Sequence, residues 1–152
     1  EAIIEAINSA KPPEAIQCVV NILNSVGAIG YVSEDFNPYE ILKECQKKDI
    51  PILAIRAVQA GALTSAMDRQ PHKSGFDQKD FEDYEKAYTF RELADKWQEL
   101  PSKIAHRYAL SIPKVSSVIL GVKNRQELKE CIEAEQEGIL TSKEIKVLED
   151  LF

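Results

Sequence analysis

The chain has 152 residues, a formal net charge of -6 at pH 7 and hydrophobic residues at 44% of its positions. Length and composition predict one globular domain over residues 1–152. The acidic balance argues against a general nucleic-acid-binding protein, which would carry a basic face. No apolar run approaches the roughly 20 residues that a membrane-spanning helix needs. We therefore expect neither nucleic acid nor a membrane as a partner.

Three widely spaced cysteines, Cys18, Cys45 and Cys131, predict a reducing environment. Their odd number and their spacing fit neither a disulfide framework nor a metal site. Residues 1–12 lack the basic start and the long apolar centre of a signal peptide. We therefore expect a cytoplasmic protein without a bound metal.

The first part of the chain reads as a helix followed by a strand. Hydrophobic spacing predicts a helix over residues 1–10, which Pro12 and Pro13 end. This helix starts without an initiator Met or a capping residue, so we expect the chain to come from the middle of a larger protein. A nearly continuous apolar run over residues 15–22 predicts a parallel strand that is buried on both faces.

The order of a helix followed by a strand then repeats. A connection over residues 24–38, which contains Gly27 and Gly30, leads to a predicted amphipathic helix over residues 39–48 and a strand over residues 49–55. Because helices and strands alternate, the pattern calls for a parallel sheet.

Loops and helices occupy the next part of the chain. Residues 56–65 are predicted to form a loop that runs into a short helical turn, and residues 67–78 an irregular polar loop. A helix is predicted over residues 81–100 with an interruption near Thr89, and another from Pro101 to residue 110. His106 in this last helix is expected to be a surface or a satisfied interior histidine.

Residues 115–134 predict a third strand, a tight turn at Gly121 and an amphipathic helix. Asn124 is a good N-cap, and Glu127 three residues later completes a capping box. Gly138 would end the helix, and a second capping box at residues 141–144 would open a final helix.

The start of that helix has the features of an anion-binding site. Free backbone N–H groups and the positive end of the helix dipole lie beside two cationic side chains, Lys123 and Arg125. Phosphate is the usual anion at such a place. Both side chains could instead be solvated surface charges.

Three segments together resemble the aldo-keto reductases. VILGVKNRQELKECIEA (residues 118–134) looks like the family's last strand–helix unit, AIQCVVNILN (15–24) resembles its NQVEYNLLN strand, and IPILAIRAVQAGALT (50–64) resembles its GVIAYSPLGGGLLT strand and loop. Each likeness is weak alone, but the three occur in the family's order and cover nearly the whole chain.

The resemblance implies an α/β fold that is part of a (β/α)8 TIM barrel: about three parallel strands with flanking helices, equivalent to strands six to eight. A complete barrel takes about 250 residues. Such a piece would leave two open sheet edges and one uncovered apolar face. We therefore expect one of three cases: the chain is a fragment of a longer protein, its missing N-terminal half is another chain, or the chain associates with itself. A compact three-layer α/β domain is the structural alternative.

Family members reduce a small-molecule carbonyl by hydride transfer from NADPH, using a Tyr, a Lys, a His and an Asp on the first four strands. None of the 5 tyrosines here lies in that context. General acid catalysis needs a positioned proton donor. The resemblance thus implies no catalytic residue in this chain, which we predict to be inactive alone.

The cofactor-binding positions do have counterparts. Gln17 matches the Gln that bonds the nicotinamide carboxamide, as an amide can. Arg56, Ala57, Gln59 and Gly61 match the loop beneath the pyrophosphate. The family's last turn and helix hold the adenosine end of the cofactor. The positions that match this turn and helix are Gly121, Lys123, Arg125, Glu127 and Glu130.

Several positions depart from the family. Ile55 replaces the aromatic residue that stacks on the nicotinamide, and Arg56 replaces a Ser. Glu127 stands where an Arg or Gln contacts the 2′-phosphate, and Cys131 where an Asn contacts adenine. An acid beside a 2′-phosphate is repulsive, whereas a ribose 2′-OH would accept it. NADP(H) is the expected cofactor, with NAD(H) possible.

Two other functions stay open. The chain could belong to a non-catalytic relative that acts as a regulatory or assembly protein, or to an unrelated α/β binding module. Recovering the remainder of the protein would separate the first of these from a reductase.

Overall fold

The computed structural model describes residues 2–29 and 36–152 and contains a parallel sheet flanked by helices. The strands are β1 (Ile16–Val19), β2 (Ile52–Ile55) and β3 (Val115–Val118). The helices are α1 (Ala2–Asn8), α2 (Pro38–Lys48), α3 (Gln78–Lys86), α4 (Tyr88–Trp97), α5 (Pro101–Ser111), α6 (Arg125–Glu137) and α7 (Ser142–Glu149), with a 3₁₀ turn at Gln59–Gly61. The start of the predicted first helix at Glu1 and the middle of the predicted connection, including Gly30, lie outside the described residues.

The predicted α/β class and parallel strand order are confirmed. Strand β1 pairs with β2, and β2 pairs with β3, both in parallel, so the spatial order is β1-β2-β3. Within the described residues, β1 and β3 are therefore the two edges of the sheet. Because the strands are parallel, the loops that follow β2 and β3 both begin at the carboxyl-terminal end of the sheet.

The helical region predicted over residues 81–100, with an interruption near Thr89, forms two helices, α3 and α4, and the break lies at Ala87. The break has a physical reason. Helix α4 buries apolar Phe90 and Ala94, whereas α3 buries the carboxylates Asp80 and Asp83. A change of direction between them lets one helix pack on the hydrophobic core and the other on a polar cluster.

Two hydrophobic clusters form the core. One joins β1 and β2 to α1, α2 and α5 through residues that include Cys18, Ile52 and Ala54. The other joins α4, α5 and α7 through Phe90, Tyr108 and Leu148. Helix α5 contributes to both clusters and so connects the sheet to the C-terminal helices.

The face of the sheet that points away from Cys18, Ile52 and Ala54 is less apolar than the sequence predicted. Gln17, Leu53 and Ser117 are aligned across the three strands by the strand register. Gln17 and Ser117 are exposed, and Leu53 is half-buried. The expected uncovered apolar face is therefore a mixed polar and apolar one, because β3 supplies serine where a closed hydrophobic layer would need an aliphatic side chain.

Candidate functional site

A cavity of about 600 Å³ opens where the chain leaves β2 and β3. Its walls come from the loop after β2, the polar loop at residues 67–78, the first turns of α5, the turn after β3 and the buried side of α6. Clefts at the carboxyl ends of parallel strands are where α/β proteins usually bind ligands. This cavity is therefore the candidate site.

Lys123 and Asp68 face each other across the mouth of the cavity. The Lys123 Nζ atom lies 2.5 Å from both carboxylate oxygens of Asp68. The hydrogen bond from Lys123 holds the pKa of Asp68 below its usual value. Both side chains are more than half exposed. Such a solvent-exposed ion pair contributes little to stability, so the ammonium group can exchange Asp68 for a stronger anion at small cost.

The predicted N-cap of α6 is confirmed. The Asn124 Oδ1 atom accepts a hydrogen bond of 3.0 Å from the Glu127 backbone N–H. The reciprocal half of the predicted box differs, because the Glu127 carboxylate accepts from the Lys123 backbone N–H at 2.7 Å and from the Asn124 side-chain amide. The side chain of Glu127 thus already occupies part of the place where an anion would meet the helix start. The second predicted box, between Thr141 and Glu144, is complete.

A buried polar cluster supports the loop after β2. The Gln59 side chain is fully buried, and its carbonyl oxygen accepts from Arg56 Nε at 2.8 Å and from the Asn21 amide at 3.3 Å. Its amide nitrogen donates to Asp83 at 2.8 Å and to Ser25 at 3.2 Å. Because every polar position of this amide is used, the side chain fixes the loop rather than facing the cavity.

The cluster continues into the cavity wall. Arg56 Nη2 donates to Asp80 at 2.6 Å, and Arg69 donates to the other Asp80 oxygen at 3.0 Å and also to Asp77. Asp77 and Asp80 are buried. Asp77 and Asp80 are therefore each paired with arginine, and the buried Asp83 accepts from Gln59 and Ser25, which offsets the cost of removing these carboxylates from water.

The loop has an unusual backbone. Gln59 and Ala60 both have positive φ angles, of 45° and 51°. This left-handed conformation costs a residue with a Cβ atom about 1–2 kcal/mol. The hydrogen bonds of the Gln59 side chain hold it in place, and strain of this kind is frequent at binding sites.

His106 and Cys131 form a buried pair at the inner wall of the cavity. The His106 Nε2 atom lies 3.3 Å from Cys131 Sγ, and His106 Nδ1 has no hydrogen-bond partner among the described residues. Burial lowers the pKa of His106, partly opposed by Glu130. Burial raises the pKa of the Cys131 thiol, and Glu130 and Glu127 raise it further. At neutral pH the pair is therefore an uncharged imidazole and a thiol, not an ion pair.

The structure brings only some of the predicted site residues together. Those that line the cavity are Gly61, Gly121, Lys123, Glu127 and Glu130. Those that do not are Gln17, exposed on β1; Ala57, buried in the core; Arg56 and Gln59, in the polar cluster behind the wall; and Arg125, exposed on α6.

Sequence reasoning missed several residues of the wall. Asp68, Arg69, Asp77, Asp80 and Ser102 line the cavity but were not predicted site residues. The only sequence signal was the density of charges in the polar loop and at the start of α3. That signal does not show which of the charges become buried.

The family profile "Aldo/keto reductase family" matches residues 2–151, so the chain belongs to the aldo-keto reductase family. Comparison with curated protein sequences gives no match. Membership confirms the resemblance on which the sequence predictions rested.

Solved structures have the same fold. The apo form of an aldo-keto reductase from Bacillus halodurans superposes with a TM-score of 0.70 at 16% identity, over 99% of this chain and 47% of that one. A glycerol dehydrogenase from Gluconobacter oxydans gives a TM-score of 0.63 at 21% identity, over 90% of this chain and 41% of that one. A thermostable aldo-keto reductase solved with the inhibitor epalrestat gives 0.62 at 22% identity, over 97% and 43%.

The chain therefore has an α/β fold that corresponds to part of the aldo-keto reductase barrel. It spans a little under half the length of these relatives. Across residues 2–29 and 36–152, no helix is long and apolar enough to cross a membrane, and no three His, Cys, Asp or Glu side chains are grouped as a metal site would require.

Proposed function

We propose that this chain is the C-terminal, cofactor-binding half of an NADP(H)-dependent oxidoreductase that reduces a small-molecule carbonyl to an alcohol in the cytoplasm. The observation that carries the proposal is the cavity beyond β2 and β3, with Lys123 at its mouth. A cavity of this size accommodates a large part of a dinucleotide.

The cavity residues suit phosphate and ribose groups. Among the described residues, Lys123 forms an ion pair only with the exposed Asp68, so its ammonium is available to a phosphate. A Cβ atom placed on Gly121 would meet nothing within 4 Å, which leaves the backbone there open to a ligand. Glu127 and Glu130 would accept hydrogen bonds from ribose hydroxyls. The bound cofactor would supply the hydride.

The residues outside the cavity take other roles in this proposal. Arg56 and Gln59 act as positioning residues, because their bonds to each other and to Asp80 and Asp83 hold the loop that forms the wall. Gln17, exposed on β1, would bond the nicotinamide carboxamide. Ala57 supports the loop from the core, and Arg125 adds positive charge near the start of α6.

The choice of cofactor depends on Glu127. Its carboxylate caps the turn at Lys123, beside the place where a 2′-phosphate would lie. The repulsion from Glu127 opposes the attraction from Lys123 and Arg125, and we expect the two cations to prevail. NADP(H) is therefore proposed first, with NAD(H) as the alternative.

Catalysis would need a second half-barrel. We propose that the catalytic Asp, Tyr, Lys and His come from a segment equivalent to the missing N-terminal half. That segment would belong to the same longer protein or would be another chain. Alternatively, the chain would associate with a second copy of itself. A regulatory or assembly role is the second candidate, favoured by Ile55, which offers no aromatic face for a nicotinamide.

Calorimetric titration of the chain with NADP⁺ and with NAD⁺ tests cofactor binding. The proposal predicts binding of both, with NADP⁺ tighter. The parent gene product should be titrated beside it, with its intact mass measured. A parent about twice this size that binds NADP⁺ would support the half-barrel assignment, whereas a parent of this size that binds neither nucleotide would contradict it.

A further inference from the structure

Two side chains from α3 and α4 hold the second part of the loop after β2. The Arg91 Nη1 atom donates to the Ala62 carbonyl oxygen at 3.2 Å, and the Tyr84 hydroxyl donates to the Ser65 carbonyl oxygen at 3.3 Å. Ser65 lies in the wall of the cavity, whereas Arg91 and Tyr84 are not among the residues that line it. The two side chains therefore support this wall from the side away from the cavity.

Arg91 and Tyr84 also bind each other. The guanidinium carbon of Arg91 lies 3.8 Å from the centroid of the Tyr84 ring, and Arg91 Nη2 donates to the Tyr84 carbonyl oxygen at 2.8 Å. An arginine that stacks on an aromatic face and also donates through its planar fork has little freedom left. Both side chains are half-buried, so water screens these contacts less than it would at the surface.

The break between α3 and α4 makes this contact possible. Residues seven apart on a continuous helix are separated by about 10 Å along its axis, which is too far for direct stacking. The change of direction at Ala87 brings Tyr84, near the end of α3, beside Arg91, near the start of α4. The break thus gives the loop a support that one long helix would not provide.

The supported segment presents backbone donors. Its carbonyl oxygens are engaged, because the Thr64 hydroxyl lies 2.8 Å from that of Gly61 and 2.9 Å from that of Ala66, in addition to the contacts from α3 and α4. The backbone N–H groups of Ser65 and Ala66, by contrast, donate to no acceptor within residues 2–29 and 36–152. Successive N–H groups that are left free in a turn form a concave place for an anion.

We propose that Arg91 and Tyr84 are positioning residues, which hold Ser65 and Ala66 in place for the diphosphate group of the cofactor. The inference rests on the proposed function and names the residues that give its cavity wall a fixed shape. The first part of the loop, at Gln59, has a positive φ angle and is fixed by the polar cluster. Arg91 and Tyr84 fix the second part through its carbonyl oxygens.

Calorimetric titration with NADP⁺ tests the proposal in the variant Arg91→Gln. The substitution should weaken binding by about tenfold, the effect of about one hydrogen bond to a charged group. Arg91→Lys should weaken it similarly, because lysine keeps the charge but not the planar fork that stacks and donates. Lys96→Gln is the matched control, since it removes an exposed positive charge from the same helix, and it should leave the affinity unchanged.

A ligand without a diphosphate distinguishes a misplaced loop from a general loss of structure. Adenosine 2′-phosphate would contact Lys123 but not the loop after β2, so Arg91→Gln and the unmodified chain should bind it equally. A general loss of structure would weaken the binding of both ligands. Lys123→Glu should also weaken both, because both carry the 2′-phosphate. Circular dichroism verifies that each variant is folded.

Inorganic pyrophosphate keeps this inference separate from the proposed function. It should shift the amide NMR signals of Ser65 and Ala66 in the unmodified chain, and Arg91→Gln should remove these shifts. If pyrophosphate acts in this way but NADP⁺ does not bind, the proposed function is contradicted and the positioning role stands.

Any of four results would overturn the inference. They are unchanged NADP⁺ affinity in Arg91→Gln, full affinity in Arg91→Lys, equal weakening of adenosine 2′-phosphate by Arg91→Gln, and no shift of the two amide signals with pyrophosphate. The first three leave the proposed function intact, because NADP⁺ still binds the unmodified chain.

Discussion

The ammonium of Lys123 lies 2.5 Å from both oxygens of Asp68, at the mouth of the cavity beyond β2 and β3. This contact joins the turn after β3 to the polar loop that precedes α3. Since both side chains are exposed, the pair is weak enough to open for an anion. The cation is therefore the cavity residue whose removal should affect phosphate binding most.

Lys123→Glu should weaken NADP(H) binding by about 1–2 kcal/mol, from the loss of one charge-assisted contact. Calorimetric titration measures the change, in the chain itself or in a complete protein that contains it. Lys146→Glu, which alters net charge equally but lies on α7, is the control. If the Lys123 variant and the unmodified protein bind NADP(H) with equal affinity, Lys123 does not contact the cofactor.

Gly27→Ala should destabilise the fold by at least about 2 kcal/mol. Gly27 has a φ of 59°, and a Cβ atom there would collide with Asp80, Arg56 and Gln59, the members of the polar cluster. Chemical denaturation measures the loss.

Gly121→Ala is the control for that experiment, because a Cβ atom at Gly121 meets nothing within 4 Å. It should cost much less. Equal losses at the two glycines would show that the polar cluster does not constrain the loop at Gly27.

Stability should decrease as the pH falls below about 6.5, through His106. In the folded state, burial lowers the pKa of His106 below its usual value of 6.5. Just below pH 6.5, the unfolded chain therefore binds a proton that the folded chain does not. The neighbouring Glu130 opposes this shift, and the Cys131 thiol stays neutral. The free energy of unfolding should fall by at most about 1.4 kcal/mol per pH unit until the folded state is protonated as well.

His106→Gln should flatten this pH dependence below about pH 6.5, whatever its effect on absolute stability. Denaturant titrations at several pH values, on both proteins, give the slope. The same slope in both would show that His106 does not carry the effect.

The chain alone should show no NADPH-dependent carbonyl reduction, because we propose that the family's catalytic set lies outside it. A spectrophotometric assay of NADPH oxidation with small aldehydes and ketones checks this. Turnover above background in a purified sample would contradict the prediction.

Local sequence signals predicted the parts of the fold that local physics controls. The N-cap at Asn124 and the box at Thr141 follow from side chains within three residues of the helix start, and both are present. The alternation of strands and helices predicted the parallel sheet because buried strands and amphipathic helices have different periods.

The polar cluster was beyond such signals. Gln59 and Asp83 are 24 positions apart and meet only because α3 packs on the loop after β2. The interruption predicted near Thr89 lies at Ala87, where the buried face changes from polar on α3 to apolar on α4. The Glu127 carboxylate accepts from the backbone N–H of Lys123 and not from that of Asn124, which depends on the conformation of the turn after β3.

The most direct test of the central claim is titration of the ¹⁵N-labelled chain with NADP⁺, followed residue by residue by NMR. The account predicts that the amide signals which shift belong to the cavity, in particular to Gly61, Gly121, Lys123 and Glu127, and that NAD⁺ shifts fewer of those near Lys123. Shifts confined to other surfaces, or no shifts with either nucleotide, would contradict it.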